Sequence, residues 1–307
     1  MVDLATSVGD VRLKNPVLTA SGTSGHGAEL HAYVDLSLLG GVVVKSLVPY
    51  EWAGNPAPRM YPLETGMINS IGLPGPGVEA WLENDLPELL ATGATVVASI
   101  WGRTIDDYAK GAAMLSNTPA GVVAVEVNVS CPNLEDRSRM FGHSAEITEE
   151  VMKLTESVNR PRWAKLSPNT HDIVGIAQAA KSGGADALVL SNTFVGIVID
   201  VETRRPVLGA GRGGVSGPGT RPIVVRAVYD VHAAMPDMPI VGVGGVAQGV
   251  HAVEYLMAGA SAVEVGTATF VEPRATGRIL NELEAWCDAH GVASVRELVG
   301  AAHHDPA

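Results

Sequence analysis

Val122-Val123-Ala124-Val125-Glu126-Val127 leads without a break into Asn128-Val129-Ser130-Cys131-Pro132-Asn133. The first six residues are nearly continuous in apolar character, the pattern of a parallel strand covered on both faces. The next six bring an amide, a hydroxyl, a thiol and a proline-stiffened turn to the point where that strand stops. Cys131 is one of two cysteines in the chain. A lone thiol at a strand end suits a catalytic base or nucleophile. Cysteine usage alone favours the plainer alternative, a small buried residue closing the strand.

Seven other runs repeat the pattern: Val17-Leu18-Thr19, Val42-Val43-Val44, Thr95-Val96-Val97-Ala98, Trp163-Ala164-Lys165-Leu166, Ala187-Leu188-Val189-Leu190, Ile240-Val241-Gly242-Val243 and Ala262-Val263-Glu264-Val265. Helical periodicity fills most of the gaps. In residues 172–181, Ile173, Ile176, Ala177 and Ala180 share a face, Thr170 can cap the start and Gly183-Gly184 ends the helix. A weak repeat marks helix-to-strand returns at Gly40-Gly41-Val42, Gly93-Ala94-Thr95, Gly184-Ala185-Asp186 and Gly259-Ala260-Ser261. Eight βα units in roughly 250 residues predict a (β/α)8 TIM barrel, with a short N-terminal hairpin and inserted loops at the C-terminal face. A doubly wound open sheet is the second choice. It would carry a glycine-rich fingerprint opening a helix after its first strand, which Ser21-Gly22-Thr23-Ser24-Gly25 does not resemble. No linker divides residues 1–307, so one domain is expected. Residues 49–76, rich in Pro and Gly, read as a long functional loop with a small hairpin.

The 307 residues are 46% apolar and 18% charged, enough for one large core, and the 35 glycines suit close backbone approaches. A net charge of −12 with no Lys/Arg run argues against nucleic-acid binding. Cys131 and Cys287 are too far apart in sequence for a metal-ligand motif, so no metal site is expected. They form no disulfide framework, which fits a reducing cytoplasm. No segment has membrane-spanning length without polar interruption. Cys287 reads as structural, and His303-His304-Asp305 as a solvated terminus.

A parallel barrel builds its site at the C-terminal ends of its strands. Those ends carry Ala20-Ser21, Lys45-Ser46, Ser99, Asn128 to Cys131, Lys165 to Ser167, Asn192-Thr193, Gly244-Gly245 and Gly266-Thr267, all small, polar or cationic. Glycine pairs after strands seven and eight, with the loop Gly213-Gly214-Val215-Ser216-Gly217-Pro218-Gly219, suit a phosphate held by backbone N–H groups. Glycines easing helix–strand packing is the alternative. Lys45 and Lys165 end apolar strands and can stabilise an anionic ring, a carboxylate or a phosphate, with Glu126 and Glu264 as structural counter-ions.

Over residues 11–299 the chain resembles the dihydroorotate dehydrogenases, most closely the class 1 B-type catalytic subunit. Segments that carry the resemblance include Lys14-Asn15-Pro16-Val17, Val44-Lys45-Ser46, Gly66-Met67-Ile68-Asn69-Ser70-Ile71-Gly72-Leu73, Asn128 to Asn133, Lys165-Leu166-Ser167-Pro168-Asn169, Ser191-Asn192-Thr193 and Thr203-Arg204-Arg205-Pro206. The resemblance implies an FMN-containing barrel that oxidises (S)-dihydroorotate to orotate in pyrimidine synthesis. Cys131 matches the general base that removes the C5 proton while a hydride leaves C6 for flavin N5. Lys45 matches the lysine between flavin and substrate. Asn69, Ser70, Ile71, Gly72, Leu73, Asn128, Asn192 and Thr193 match groups that hold orotate. Ser21, Lys45, Ser46, Ser99, Asn128, Lys165 and Ser191 match positions around the flavin, and Gly217, Gly244, Gly245, Gly266 and Thr267 match its phosphate loops. A B-type enzyme also implies a second subunit carrying FAD and a [2Fe–2S] cluster, NAD as acceptor, and a homodimeric core.

Three positions depart from the family pattern. Ser99 and Gly75 stand where asparagine is usual, and Ser191 where an aliphatic residue is common. Pro74-Gly75 keeps open a related flavin oxidoreductase acting on another dihydropyrimidine or cyclic amide. A flavin-free barrel binding a phosphorylated metabolite is a third reading.

Overall fold

The computed structural model describes residues 2–130 and 144–303. Eight short strands close into a parallel barrel in sequence order: β1 (Val17–Thr19), β2 (Gly41–Val43), β3 (Val96–Ile100), β4 (Val122–Asn128), β5 (Arg162–Lys165), β6 (Ala187–Leu190), β7 (Ile240–Val243) and β8 (Ala262–Val265). Val263 pairs with Val17 where β8 meets β1. Closure excludes the open doubly wound sheet.

Helices Leu86–Ala91, Ile105–Met114, Ala145–Leu154, Ile173–Ser182, Arg221–Ala234, Gly249–Met257 and Ala275–Ala289 follow β2 to β8 in turn. After β1 the chain makes only 3-10 turns, at Glu29–Ala32 and Leu36–Leu38. Local signals set several helix starts. Thr104 and Asp107 form a reciprocal capping box ahead of Ile105. The cap of Ile173–Ser182 is Asp172, whose carboxylate accepts from Gly175 N, and not Thr170. Thr170 Oγ1 instead accepts from Asp172 N, one step earlier.

Strand side chains alternate between two environments. Val17, Val42, Val96, Val125, Ala164 and Leu188 pack outward on the helices, while Leu18, Val43, Val97, Ala124, Trp163 and Val189 meet inside the barrel. Trp163 is fully buried there; emptying that space with Ala would cost about 3–5 kcal/mol. The hairpin Thr6–Val8 with Val11–Leu13 adds Val8, Val11 and Leu13 to the inner cluster, closing the barrel's N-terminal end. The same alternation aims the polar members of β3, β4, β5 and β8 inward above this plug.

Over the other end lies a four-stranded antiparallel sheet, in the order Phe194–Gly196, Gly213–Ser216, Gly66–Asn69, Met60–Leu63. The hairpin expected in residues 49–76 is its outer pair. A two-stranded ribbon, Ile199–Asp200 with Arg205–Pro206, carries the Thr203-Arg204-Arg205-Pro206 segment. His303 is docked rather than solvated. Its ring stacks on Tyr229 at 3.9 Å, and its Nε2 lies 3.0 Å from the Ala258 carbonyl.

Candidate active site

The strand ends and the antiparallel sheet enclose a cavity of about 1050 Å³, counting its opening to solvent. That is the size of sites that take cofactor-sized ligands. Ser21, Lys45, Ser46, Asn128, Lys165 and Ser191 line it from β1, β2, β4, β5 and β6. Asn192 and Thr193 follow Ser191, and Gly244, Gly245, Gly266 and Thr267 close the far side after β7 and β8. Cys131, the expected base, lies outside the described residues, as do Pro132 and Asn133.

Beneath the cavity is a buried polar chain. Lys165 Nζ lies 3.2 Å from Glu126 and 3.0 Å from Glu264, both carboxylates fully buried. Burial pulls the Lys165 ammonium down, but the two carboxylates together hold it above the ordinary lysine value. Both glutamates therefore serve one lysine, and among the described residues Lys45 has no salt bridge. Ser99 is 0% exposed and sits below the cavity wall instead of lining it. Its single hydroxyl proton goes to Glu126 Oε1 at 3.0 Å. Ser46 must then donate to Ser99, at 2.8 Å, and Ser21 to Ser46, at 3.1 Å. A carboxylate two side chains below orients the hydroxyls that the cavity presents.

Three asparagines reach the cavity from different elements: Asn69 from the overlying sheet, Asn128 from the end of β4 and Asn192 just past β6. Asn192 Nδ2 donates to Asn128 Oδ1, and Asn128 Nδ2 donates to Ser46 Oγ at 3.4 Å. The segment after Asn69 splits in two. Ile71 and Leu73 face the cavity, whereas Ser70 turns back to accept from Asn55 Nδ2 at 2.9 Å, and the Gly72 carbonyl accepts from Trp52 Nε1 at 2.8 Å. Gly72 has φ +74, and a Cβ there would sit 2.4 Å from Asn55 N, so the bend requires glycine.

Among the described residues Lys45 is a cation without a salt bridge at this mouth. Burial, then the nearby Arg59 charge, hold its ammonium below the usual lysine range. His26 lies behind it, and burial followed by the Lys45 charge lowers its pKa to about 4. Its Nε2 is buried without a partner among the described residues, 3.0 Å from where a Cβ on Gly75 would stand. The imidazole occupies space that an asparagine at 75 would need.

After β7, Gly245 has φ +69 and packs so closely on Arg221 and Gly217 that a Cβ would meet each at 2.8 Å. Thr267 Oγ1 donates to Ser216 Oγ at 2.7 Å, tying the end of β8 to the overlying sheet. Gly217 lines an adjoining cavity rather than this one. Sequence reasoning missed the apolar wall, made by Met60, Met67, Val215 and Phe270. These residues sit off the barrel strands, where the strand-end rule does not look. Among the described residues no cluster of three or more His, Cys, Asp or Glu could hold a metal ion, and no helix is long and apolar enough to cross a membrane.

The family model described as dihydroorotate dehydrogenase matches residues 3–286. Curated relatives named dihydroorotate dehydrogenase B (NAD(+)), catalytic subunit, are similar over nearly the whole chain. That of Desulforudis audaxviator is 46% identical and covers 98% of both chains. That of Geobacter sp. strain M21 is 42% identical, covering 97% of this chain and 98% of its own. That of Alkaliphilus metalliredigens is 43% identical, covering 98% and 99%.

Proposed function

The chain belongs to the dihydroorotate dehydrogenase family, and we propose from that premise that it is a B-type catalytic subunit. Its reaction is the oxidation of (S)-dihydroorotate to orotate in pyrimidine biosynthesis, with FMN as the bound flavin. The observation that carries the reading is one cavity that collects the Lys45 cation, the Asn69, Asn128 and Asn192 amides, and Lys165.

The residues fit a flavin mononucleotide. Lys165, Ser21 and Ser46 offer a cation and oriented hydroxyls to a polar ring edge, and Met67 and Val215 supply apolar wall. Gly244, Gly245 and Gly266 leave backbone bare where a phosphate would lie, beside the Thr267 hydroxyl. When bound, FMN supplies the two-electron oxidation that no side chain can perform. The chain's own residues bind and orient. The amide hydrogens that Asn69, Asn128 and Asn192 do not spend on Gly214, Ser46 and each other face the amide edges of the substrate, and Lys45 attracts its negative charge. Cys131 is the proposed base at C5. A free thiol titrates near ~8.5, so it works as thiolate on the alkaline side of neutrality.

For partners we infer a second subunit carrying FAD and a [2Fe–2S] cluster that passes electrons to NAD⁺, and a cytoplasmic setting. Two cysteines cannot by themselves ligate such a cluster. Val195, Ile197, Ile199 and Val201 are large apolar residues left exposed, which supports a homodimeric core.

Anaerobic addition of dihydroorotate to the flavin-loaded protein tests the reading: the flavin absorbance should bleach. A second reading, oxidation of another dihydropyrimidine, rests on Gly75 and the His26 imidazole beside it. Bleaching by that compound, with none by dihydroorotate and no orotate binding, would select it.

A further inference from the structure

Glu126, Glu264 and Lys165 form a sealed cluster with one cation too few. Both carboxylates are 0% exposed and both lie on the same ammonium. With all three ionised, a net negative charge would be shut away from water, at a cost of several kcal/mol. Among the described residues Lys165 is the one cation that acts on Glu264, and the residues beside it on β1 and β7 are the apolar Leu18 and Val243. Glu126 accepts from both Ser99 and Lys165. Among the described residues Glu264 accepts only at Oε2, and its Oε1 is buried with no donor. An acceptor in that position is unsatisfied, whereas a hydroxyl there can donate to the adjacent Glu126 carboxylate. Burial pushes the Glu264 carboxyl up further than Lys165 pulls it down, to about 8.

We propose that Glu264 is a neutral carboxylic acid in the resting protein and a positioning residue that, through Lys165, sets the charge which the barrel floor presents to the flavin. The protonated acid leaves Lys165 opposed by Glu126 alone, so the floor is neutral and its ammonium is available to the electron-rich edge of the ring. Loss of the Glu264 proton to solvent at alkaline pH makes the floor anionic and weakens its hold on the cofactor. The flavin half of this inference rests on the FMN reading above; the protonation half stands on the chain alone.

Infrared difference spectra of the apoprotein between about pH 6 and about pH 10 test the protonation, in a range that brackets a raised carboxyl pKa. A buried carboxylic-acid carbonyl band should be present at the lower pH, vanish at the higher, and be absent from Glu264→Gln. Glutamine keeps the volume, accepts from Lys165 and donates to Glu126, so the variant should fold. A wild-type spectrum without that band would overturn the proposal. FMN binding to the same apoprotein tests the link to the cofactor. The wild-type Kd should rise with pH once Glu264 ionises, by up to about tenfold per pH unit, while Glu264→Gln stays flat. Equal pH dependence in the two proteins would remove Glu264 from cofactor positioning. Failure of either protein to take up FMN at any pH would count against the cofactor reading, leaving the band to decide the protonation.

Discussion

Asn192 Nδ2 lies 3.2 Å from Asn128 Oδ1, and this bond determines how both amides face the cavity. Backbone donors settle which atom is oxygen. Ser130 N–H donates to Asn128 Oδ1 and Thr193 N–H donates to Asn192 Oδ1. The Asn128 oxygen is occupied by two donors, and the remaining donor capacity of both amides is left for a ligand and for Ser46. An array of this kind recognises carbonyl oxygens, which a dihydropyrimidine ring carries.

Asn192→Ala removes one ligand donor and releases Asn128 from its partner. Losing hydrogen bonds worth about 1–3 kcal/mol should weaken orotate binding roughly 10- to 100-fold with flavin retained. Titration of the flavin spectrum with orotate measures this. An unchanged Kd would place orotate elsewhere.

Lys45 gives a pH dependence of definite sign. Its ammonium is held below the usual lysine range by burial and then by Arg59. As pH rises through that lowered value the cation is lost, so orotate affinity should fall on the alkaline side, and Lys45→Met should be weaker binding but flat. The linkage for stability runs the other way. A lysine that binds its proton less tightly folded than unfolded costs stability while charged, and the cost is relieved as pH rises from its folded toward its unfolded value. Lys45→Met should therefore melt no lower than the wild type at neutral pH in a thermal scan.

Cys131→Ser tests the base. A hydroxyl is a far weaker base than a thiolate, so flavin reduction by dihydroorotate should slow by about 10²-fold or more at neutral pH. FMN content should be unchanged. Stopped-flow rates equal to the wild type would remove Cys131 from the proton transfer.

Gly72→Ala places a Cβ 2.4 Å from Asn55 N at φ +74. Backbone strain of about 1–3 kcal/mol should displace Ile71 and Leu73 from the cavity wall. We expect KM for dihydroorotate to rise at least severalfold with little loss of bound FMN. A KM within error of wild type would show that the loop can bend without glycine.

The barrel was legible because each strand announces itself locally. Val122 to Val127 needed only its own composition to be recognised, and it is β4 with one residue added, Asn128. The polar strand ends were legible for the same reason, and Ser21, Lys45, Asn128, Lys165, Asn192 and Gly245 do meet around one cavity. Phe270, Met60 and Met67 were not, because an apolar residue off the barrel strands carries no local sign of what it faces. Ser99 was placed one layer too high. Its residue type says only that it can hydrogen-bond, and the depth comes from the register of β3 against β4, which sets Ser99 opposite Glu126.

Composition and spacing by themselves determined the eight strands, their buried faces and the polar chemistry at their ends, since these follow from neighbours a few residues apart. Only the closed barrel decided which charges meet. Glu126 and Glu264 converge on Lys165 from strands 39 and 99 residues away, and Lys45 is left without a salt bridge among the described residues. Side-chain alternation aims all three groups of the cluster inward, and ring closure brings β8 round to face β5. No local pattern encodes that meeting, because the distance across a barrel is a property of its circumference and not of any one strand.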